Sequence, residues 1–322
     1  MVKKIKVLVL MGGPSSEHEV SLMSGGEVFK ALPHTYKGIR GVIPKDANLG
    51  EMVHGLLRRH KPDIVFIAMH GSYGEDGRVQ ALLETMGVPY TGSGVLASAL
   101  AMDKPRACAV FRDAGFSVPP SEVIHKDEKP GRKFFSSLLR RVGMPLVVKP
   151  ADAGSSVGVT IVRRPKEFQN ALRRAFHFSE RVIVQKFIKG REVTCGIVEM
   201  PGGFGKLPPI EIIPKAGAFY DYKSKYAAGG SEHVIPPEGL KRRVLYMIQD
   251  YALRAHMVLD CSGMSRADFI LDSKGVLWIL EINTIPGMTP TSLLPDGARA
   301  AGIAFPRLLD LIIRAALRRF PS

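Results

Sequence analysis

Four side chains at strand spacing carry the strongest chemical signal in this chain. Arg266 and Asp268 lie two apart in Ser265–Leu271, and Glu281 and Asn283 lie two apart in Val276–Asn283. Asp272-Ser273-Lys274-Gly275 between them reads as a hairpin turn, so the two-residue strand period puts all four groups on one face. Nearly every other residue of both strands is apolar, which points these groups into a site. A carboxylate there is costly unless it is paired or holds a cation. One reading is a structural salt bridge from Arg266 to a carboxylate. The other is magnesium, which takes oxygen ligands at about 2.0–2.1 Å and shares them with substrate phosphates. No His or Cys joins the group, which speaks against Zn²⁺.

A second signal is Lys149-Pro150-Ala151-Asp152-Ala153-Gly154-Ser155-Ser156-Val157-Gly158. Lys149 ends an apolar strand, and the loop after it can cradle phosphate oxygens with backbone N–H groups while Lys149 supplies charge; an ordinary turn is the alternative. The Walker A order and G-x-G-x-x-G are both absent. Gly154–Gly158 matches the nucleophile elbow G-x-S-x-G, but an elbow needs a helix after its serine, and here β-branched residues continue as a strand. Gln185-Lys186-Phe187-Ile188 ends another strand, where backbone groups could pair with a purine edge or simply link domains. His70 suits a ligand or a hydrogen-bonded core residue. Arg307, Arg314, Arg318 and Arg319 read as the solvated face of a terminal amphipathic helix, and Cys195 as inert packing.

The elements that must position these groups fall into three blocks. Residues 1–101 alternate strands (Ile5–Leu10, Asp63–Met69) with helices (about Val20–Leu32 and Arg78–Met86), the pattern of a doubly wound parallel sheet. Ligands of such sheets gather at the carboxyl ends of strands, here the loops Gly12–Glu19 and His70–Gly77. Residues 102–189 hold strands at Pro145–Val148, Val159–Val162 and Arg181–Ile188. Residues 190–322 hold Glu192–Met200, Pro208–Pro214, a helix near Leu240–Leu259, the hairpin and two terminal helices. Between Ala216 and Ser231 there is no apolar periodicity, which suits a functional lid.

Composition narrows the partners. Among 322 residues, 45 Lys and Arg face 30 Asp and Glu, a net charge of +15, which favours an anionic partner. No run of five or six basic residues occurs and aromatics are only 7%, which argues against nucleic acid. Three scattered cysteines suit a reducing compartment. Lys3, Lys4 and Lys6 before Val7–Met11 imitate a secretion signal, but the apolar run is too short, and nothing approaches the roughly 18 apolar residues of a membrane span. These features predict a soluble, cytoplasmic protein with no membrane partner.

Taken in order, these words resemble the D-alanine–D-alanine ligase family of the ATP-grasp superfamily. They are Gly12-Gly13-Pro14-Ser15-Ser16-Glu17-His18-Glu19-Val20-Ser21, His70-Gly71 with Gly74–Gly77, Tyr90–Gly94, Met102-Asp103-Lys104, Lys149-Pro150, Gly154–Gly158, Phe219–Tyr222, Lys225-Tyr226 and Glu281–Thr289. The resemblance implies an α/β, three-domain ATP-grasp architecture: an N-terminal doubly wound parallel-sheet domain (1–101) and two α+β domains (102–189 and 190–322) sandwiching ATP. It implies that one D-alanine carboxylate attacks the γ-phosphate of ATP and that a second D-alanine displaces phosphate from the acylphosphate. Two Mg²⁺ (or Mn²⁺) would sit on Asp268, Glu281 and Asn283. Lys104, Lys149 and Lys225 would neutralise phosphate charge, with Phe219 also at the nucleotide, Gln185, Lys186 and Ile188 at adenine, and Glu192 at the ribose. Gln185 departs from the family, where Glu is common.

At the substrate end the resemblance implies Glu17 for the first ammonium, Arg266 and Gly287 for the oxyanion, His70 nearby, and Ser292 and Leu293 for the second carboxylate. Glu17, Ser155 and Tyr226 would close the lid. Family members are usually homodimers, and Lys225-Tyr226 favours the dipeptide over a D-alanine–D-hydroxy acid product. Another ATP-grasp carboxylate–amine ligase is the alternative.

Overall fold

Strand β1 (Ile5–Gly12) is an apolar run buried on both faces, as the central strand of a parallel sheet must be. Its alternate residues enter different cores: Val7, Val9 and Met11 on one side, Leu8 and Leu10 on the other. It pairs in parallel with β2 (Tyr36–Ile43) and β3 (Ile64–Ile67), giving the order β2-β1-β3. Helices α1 (His18–Ala31), α2 (Leu49–His60) and α3 (Arg78–Thr85) complete this doubly wound layer. The computed structural model describes residues 4–128, 131–154, 157–214 and 231–320. Strand β2 and helix α2 are additions to the sequence reading. Lys37, Gly38, Arg40 and Gly41 dilute the strand signal of β2, yet a Cβ at Gly41 would lie 2.9 Å from Leu8 Cδ1, so close packing needs a glycine there.

Helices α4 (Val95–Met102) and α5 (Lys104–Asp113) lead to a second sheet of β4 (Ser121–His125), β5 (Leu146–Pro150), β6 (Thr160–Val162) and β7 (Arg181–Lys186). Its order is β4-β7-β5-β6, antiparallel throughout. Helices α6 (Arg132–Val142) and α7 (Phe168–Ala175) cover one face, packing Leu138, Val142, Phe168 and Leu172 on Leu146, Val148, Val182 and Val184. The period of two therefore turns Val147, Lys149 and Gln185 to the opposite face.

The third sheet contains β8 (Gly190–Met200), β9 (Gly203–Lys206), β10 (Ile210–Pro214), β11 (Ser231–Val234), β12 (Met264–Asp272) and β13 (Leu277–Asn283). Its order is β11-β10-β8-β12-β13, with β9 on β8. Helix α8 (Arg242–Val258), with α4 and α5, covers the face bearing Val193, Cys195, Ala267 and Phe269, and Cys195 is packing as expected. The opposite face, with Thr194, Arg266 and Asp268, looks toward the second sheet's open face. Helices α9 (Leu293–Ala300) and α10 (Phe305–Arg319) close the chain. Leu308, Leu309, Ile312 and Ile313 of α10 join the first sheet's Val7, Val9 and Phe66 to the third sheet's Val198 and Met264.

The arginines of α10 do not all face solvent. Arg307 and Arg314 pair with Asp310, and Arg318 with Glu199. Arg319 is half-buried: it donates to the Gly92 and Tyr90 carbonyls and lies 4.6 and 4.5 Å from the Tyr90 and Phe320 ring centroids. The helix end runs into the segment between α3 and α4, a long-range contact that amphipathic spacing does not encode. Among the described residues no helix is long and apolar enough to cross a membrane.

Candidate active site

The β12–β13 register sets Arg266 opposite Asn283 and Asp268 opposite Glu281, so the four groups share one face as their spacing predicts. Asp268 is buried and accepts four hydrogen bonds. Arg266 donates Nε to Oδ1 at 2.9 Å and Nη2 to Oδ2 at 2.8 Å, Thr194 Oγ1 donates to Oδ1 at 2.6 Å, and Asn283 Nδ2 donates to Oδ2 at 3.2 Å. The salt bridge foreseen as one reading of this face is therefore present. Thr194 is a partner the sequence reading missed, because the bond joins strands 74 residues apart in sequence.

A bulge follows. The register shifts so that Phe269 faces Ile279, leaving Leu280 as the extra residue of β13. Strict alternation from Glu281 would have turned Leu277 and Ile279 to the cleft. Instead both are buried, at 3% and 0% exposure, and Leu280 lines the cleft with Ile270.

That cleft lies between the second and third sheets and holds about 910 Å³ of empty space. Val147, Lys149 and Gln185 form one wall, with Lys186 and Ile188 at its rim. Glu192, Asp268, Ile270, Leu280 and Glu281 form the other. Lys104 stands at the inner end, placed by α5, whose N-cap Asp103 accepts from Arg106 N–H at 3.1 Å and from Arg181 at 2.8 Å. Its Nζ donates to the Ala153 carbonyl at 2.7 Å and lies 3.5 Å from Glu281 Oε2. Lys149, like Lys104, is buried. The side chain of Gln185 is 2% exposed, and its Nε2 has no partner among the described residues.

A second cavity shares Glu192, Asp268 and Glu281 with the first and opens toward the carboxyl ends of β1 and β3. Glu17, His70, Arg266, Asn283, Gly287, Ser292 and Leu293 all line it. Glu17 is buried at the start of α1, where Ser15 Oγ accepts its N–H at 2.9 Å and donates to the His70 carbonyl at 2.8 Å. A Cβ at Gly71 would lie 2.6 Å from Glu17 Oε2 and one at Gly154 2.5 Å from it, so two glycines from different loops make room for this carboxylate. His70 Nε2 sits 2.9 Å from Ser24 Oγ, and Nδ1 lies 3.8 Å from Glu75. Burial pushes the His70 imidazole down, but the Glu75 hydrogen bond and the charges of Glu75 and Glu17 outweigh it and hold the ring above its ordinary value. Ser292 is the N-cap of α9. Its Oγ accepts the Thr289 N–H at 3.1 Å and lies 2.7 Å from where a side chain at Gly287 would begin.

Asp268, Glu281 and Asn283 each offer a side-chain oxygen, which suits a hard divalent cation, although no group of three His, Cys, Asp or Glu side chains able to hold a metal ion occurs among the described residues. Ser155, Phe219, Lys225 and Tyr226, and the segment 216–230 expected from the sequence to act as a lid, lie outside the described residues.

Comparison with known proteins gives this geometry a frame. Residues 110–314 match the family model described as D-ala D-ala ligase C-terminus, and residues 44–93 match that of the D-ala D-ala ligase N-terminus. The chain belongs to the D-alanine–D-alanine ligase family. A D-alanine–D-alanine ligase of Geotalea uraniireducens is 45% identical over 319 residues, covering 98% of this chain and 96% of that protein. The structure of the Bacillus anthracis D-alanine–D-alanine ligase complexed with ATP superimposes with a TM-score of 0.82 at 34% identity, covering 98% of each chain. A D-Ala:D-Ser ligase of Enterococcus faecalis gives 0.80 at 30% identity, covering 98% of this chain and 100% of that one. The ATP-grasp architecture expected from the sequence is thus the one the chain adopts.

Proposed function

We propose that this chain is an ATP-dependent, ADP-forming ligase that joins two D-alanine molecules to D-alanyl-D-alanine for peptidoglycan precursor synthesis in the cytoplasm. The observation that carries the reading is the junction of two cavities at Asp268 and Glu281, with lysines on one side and Glu17, Arg266 and the α9 N-terminus on the other. A nucleotide in the first cavity and an amino acid in the second meet there.

The residues divide the work by position. Val147, Ile270 and Leu280 offer apolar walls to the base, with Gln185, Lys186 and Ile188 at its edge and Glu192 at the ribose. The Lys186 and Phe187 N–H groups are bonded to the Pro120 and Pro145 carbonyls, which leaves base reading to other groups such as Ile188 N–H. Lys104 and Lys149, joined by Lys225, neutralise the phosphates, and Phe219 is assigned to the nucleotide without a charge role. Asp268, Glu281 and Asn283 would hold two Mg²⁺, which supply charge neutralisation for the transferred phosphoryl group.

Glu17 receives the first ammonium and leaves that substrate's carboxylate facing the nucleotide. Attack on the γ-phosphate gives an acylphosphate and ADP; the second amine then adds to the acyl carbon, and phosphate leaves. Asp268 fixes the Arg266 guanidinium with two hydrogen bonds, so Arg266 and the Gly287 backbone form a preset pair of donors for the developing oxyanion. Ser292 and Leu293 present the α9 N-terminus to the second carboxylate. Ser155 and Tyr226, with Glu17, close the lid and keep water from the acylphosphate. The division at 101/102 and 189/190 is supported by three sheets that each fall within one block, and a homodimer completes the reading.

The test is product identification with ATP and Mg²⁺ across a panel of D-amino and D-hydroxy acids. The expected result is one ADP and one phosphate per D-alanyl-D-alanine, with D-alanine the preferred second substrate. ATP turnover that yields no D-alanyl dipeptide would overturn the proposal.

A further inference from the structure

Strand β11 brings to the substrate cavity a histidine that the ligation chemistry above leaves without a task. His233 stands opposite Ile212 in the β10–β11 ladder, and both side chains line the cavity that also holds Ser292, Leu293 and Arg266. The side chain is 17% exposed, and Nδ1 lies 2.7 Å from Oδ2 of Asp296, itself 8% exposed. Asp296 belongs to the first turn of α9, and its Oδ1 accepts from Arg299 at 2.6 Å. An ionised carboxylate only accepts, so Nδ1 carries the hydrogen of that contact. Nε2 is then the remaining polar edge of the ring, with Ser231 Oγ 3.4 Å away.

We propose that His233 is a recognition residue for the carboxylate of the second, amine-donating substrate, giving Nε2–H to it while Asp296 holds Nδ1–H. The inference rests on the ligase reading, in which that carboxylate arrives at Ser292 and Leu293. A helix N-terminus favours an anion through its N–H groups and dipole, but an uncompensated Asp296 in the same first turn would repel one. Arg299 holds one oxygen of that carboxylate and the His233 Nδ1–H the other, so both of its acceptor atoms are already engaged. The orientation is set twice over: Asp296 holds the ring from α9, and the ladder to β10 holds its backbone.

The experiment uses the full chain with ATP, Mg²⁺ and D-alanine as first substrate, and compares D-alanine with D-alaninamide as second substrate. D-alaninamide has the amine but no carboxylate, so it reports on the second site alone. His233→Phe is expected to raise the KM of the second D-alanine about tenfold, the worth of one charge-assisted hydrogen bond. It is also expected to reduce the preference for D-alanine over D-alaninamide by a similar factor, leaving the KM values for ATP and the first D-alanine within twofold of wild type. His233→Gln, which keeps a donor, should recover part of the preference. A preference ratio unchanged in both variants, even with a lowered melting temperature, would make the His233–Asp296 pair a latch between β11 and α9 and overturn the proposal. A wild-type enzyme that makes no dipeptide would instead sink the ligase reading itself, which is a separate observation.

Discussion

Replacing Arg266 by lysine separates a catalytic oxyanion donor from a purely structural counter-ion of Asp268. Arg266 is 13% exposed and Asp268 9%, and two hydrogen bonds at 2.9 and 2.8 Å join them. Lysine keeps the charge but loses the planar fork, so one of the two bonds goes. Asp268 retains Thr194 and Asn283 as donors, which limits the folding cost to about 1–2 kcal/mol and the loss in melting temperature to a few degrees. If Arg266 is an oxyanion donor, the chemical step loses much more: kcat should drop about 10²–10³-fold, equivalent to about 2.7–4 kcal/mol. The KM for ATP should barely move, since Arg266 lines only the second cavity. The assay is coupled ADP release at saturating D-alanine, alongside a thermal melt. A variant that melts earlier but turns over within threefold of wild type would show that Arg266 serves only as a structural counter-ion.

Three further outcomes are expected. Gly154→Ala puts a methyl 2.5 Å from Glu17 Oε2 and should raise the KM of the first D-alanine about tenfold or more; an unaltered KM would remove Glu17 from the ammonium site. His256 is fully buried, and burial pushes its imidazole down to about 4. The unfolded chain, with a value near 6.5, therefore binds the extra proton in between, so this group's contribution is complete above about pH 6.5 and lost as pH falls toward 4, with a ceiling of about 3 kcal/mol. Melting temperatures between pH 7 and pH 5 should depend less on pH in His256→Asn than in wild type, and equal slopes would contradict the assignment. Arg319→Ala removes the donors to the Gly92 and Tyr90 carbonyls and the stacking on two rings. It should cost about 2 kcal/mol of stability with activity at 25 °C retained, and an unshifted melt would count against it.

Local pattern explains what could be read before the fold was known. The apolar run of β1, the Asp272–Gly275 turn and the two-residue spacings of Arg266 with Asp268 and of Glu281 with Asn283 are each written within a few neighbouring residues, so their strand period survives in the linear chain. What escaped depends on distant partners. Strand β2 is recognisable by its contact with β1, where Gly41 admits Leu8. Thr194 reaches Asp268 only because β8 pairs with β12. His233 meets Asp296 across 63 residues, and Arg319 finds its carbonyls more than 220 residues back. Each of these contacts joins elements that sequence spacing cannot align.

The bulge at Leu280 shows why one face can serve two cavities. A regular β13 would carry Glu281 and Asn283 toward the cleft but would continue with Ile279 and Leu277, taking both from the core and leaving Leu280 and Trp278 on the helix side. One extra residue reverses the parity below Glu281. Toward the nucleotide cavity the face then becomes apolar, with Leu280 beside Ile270, while toward the substrate cavity it stays polar, with Asn283 beside Arg266. The carboxylates Asp268 and Glu281 lie at the change of character, where a triphosphate's charged end would leave an apolar wall and meet the second substrate. Deleting Leu280 should therefore do more than shorten a strand: by restoring strict alternation it would drive either Glu281 out of the junction or Ile279 out of the core. Either consequence is expected to abolish ligation.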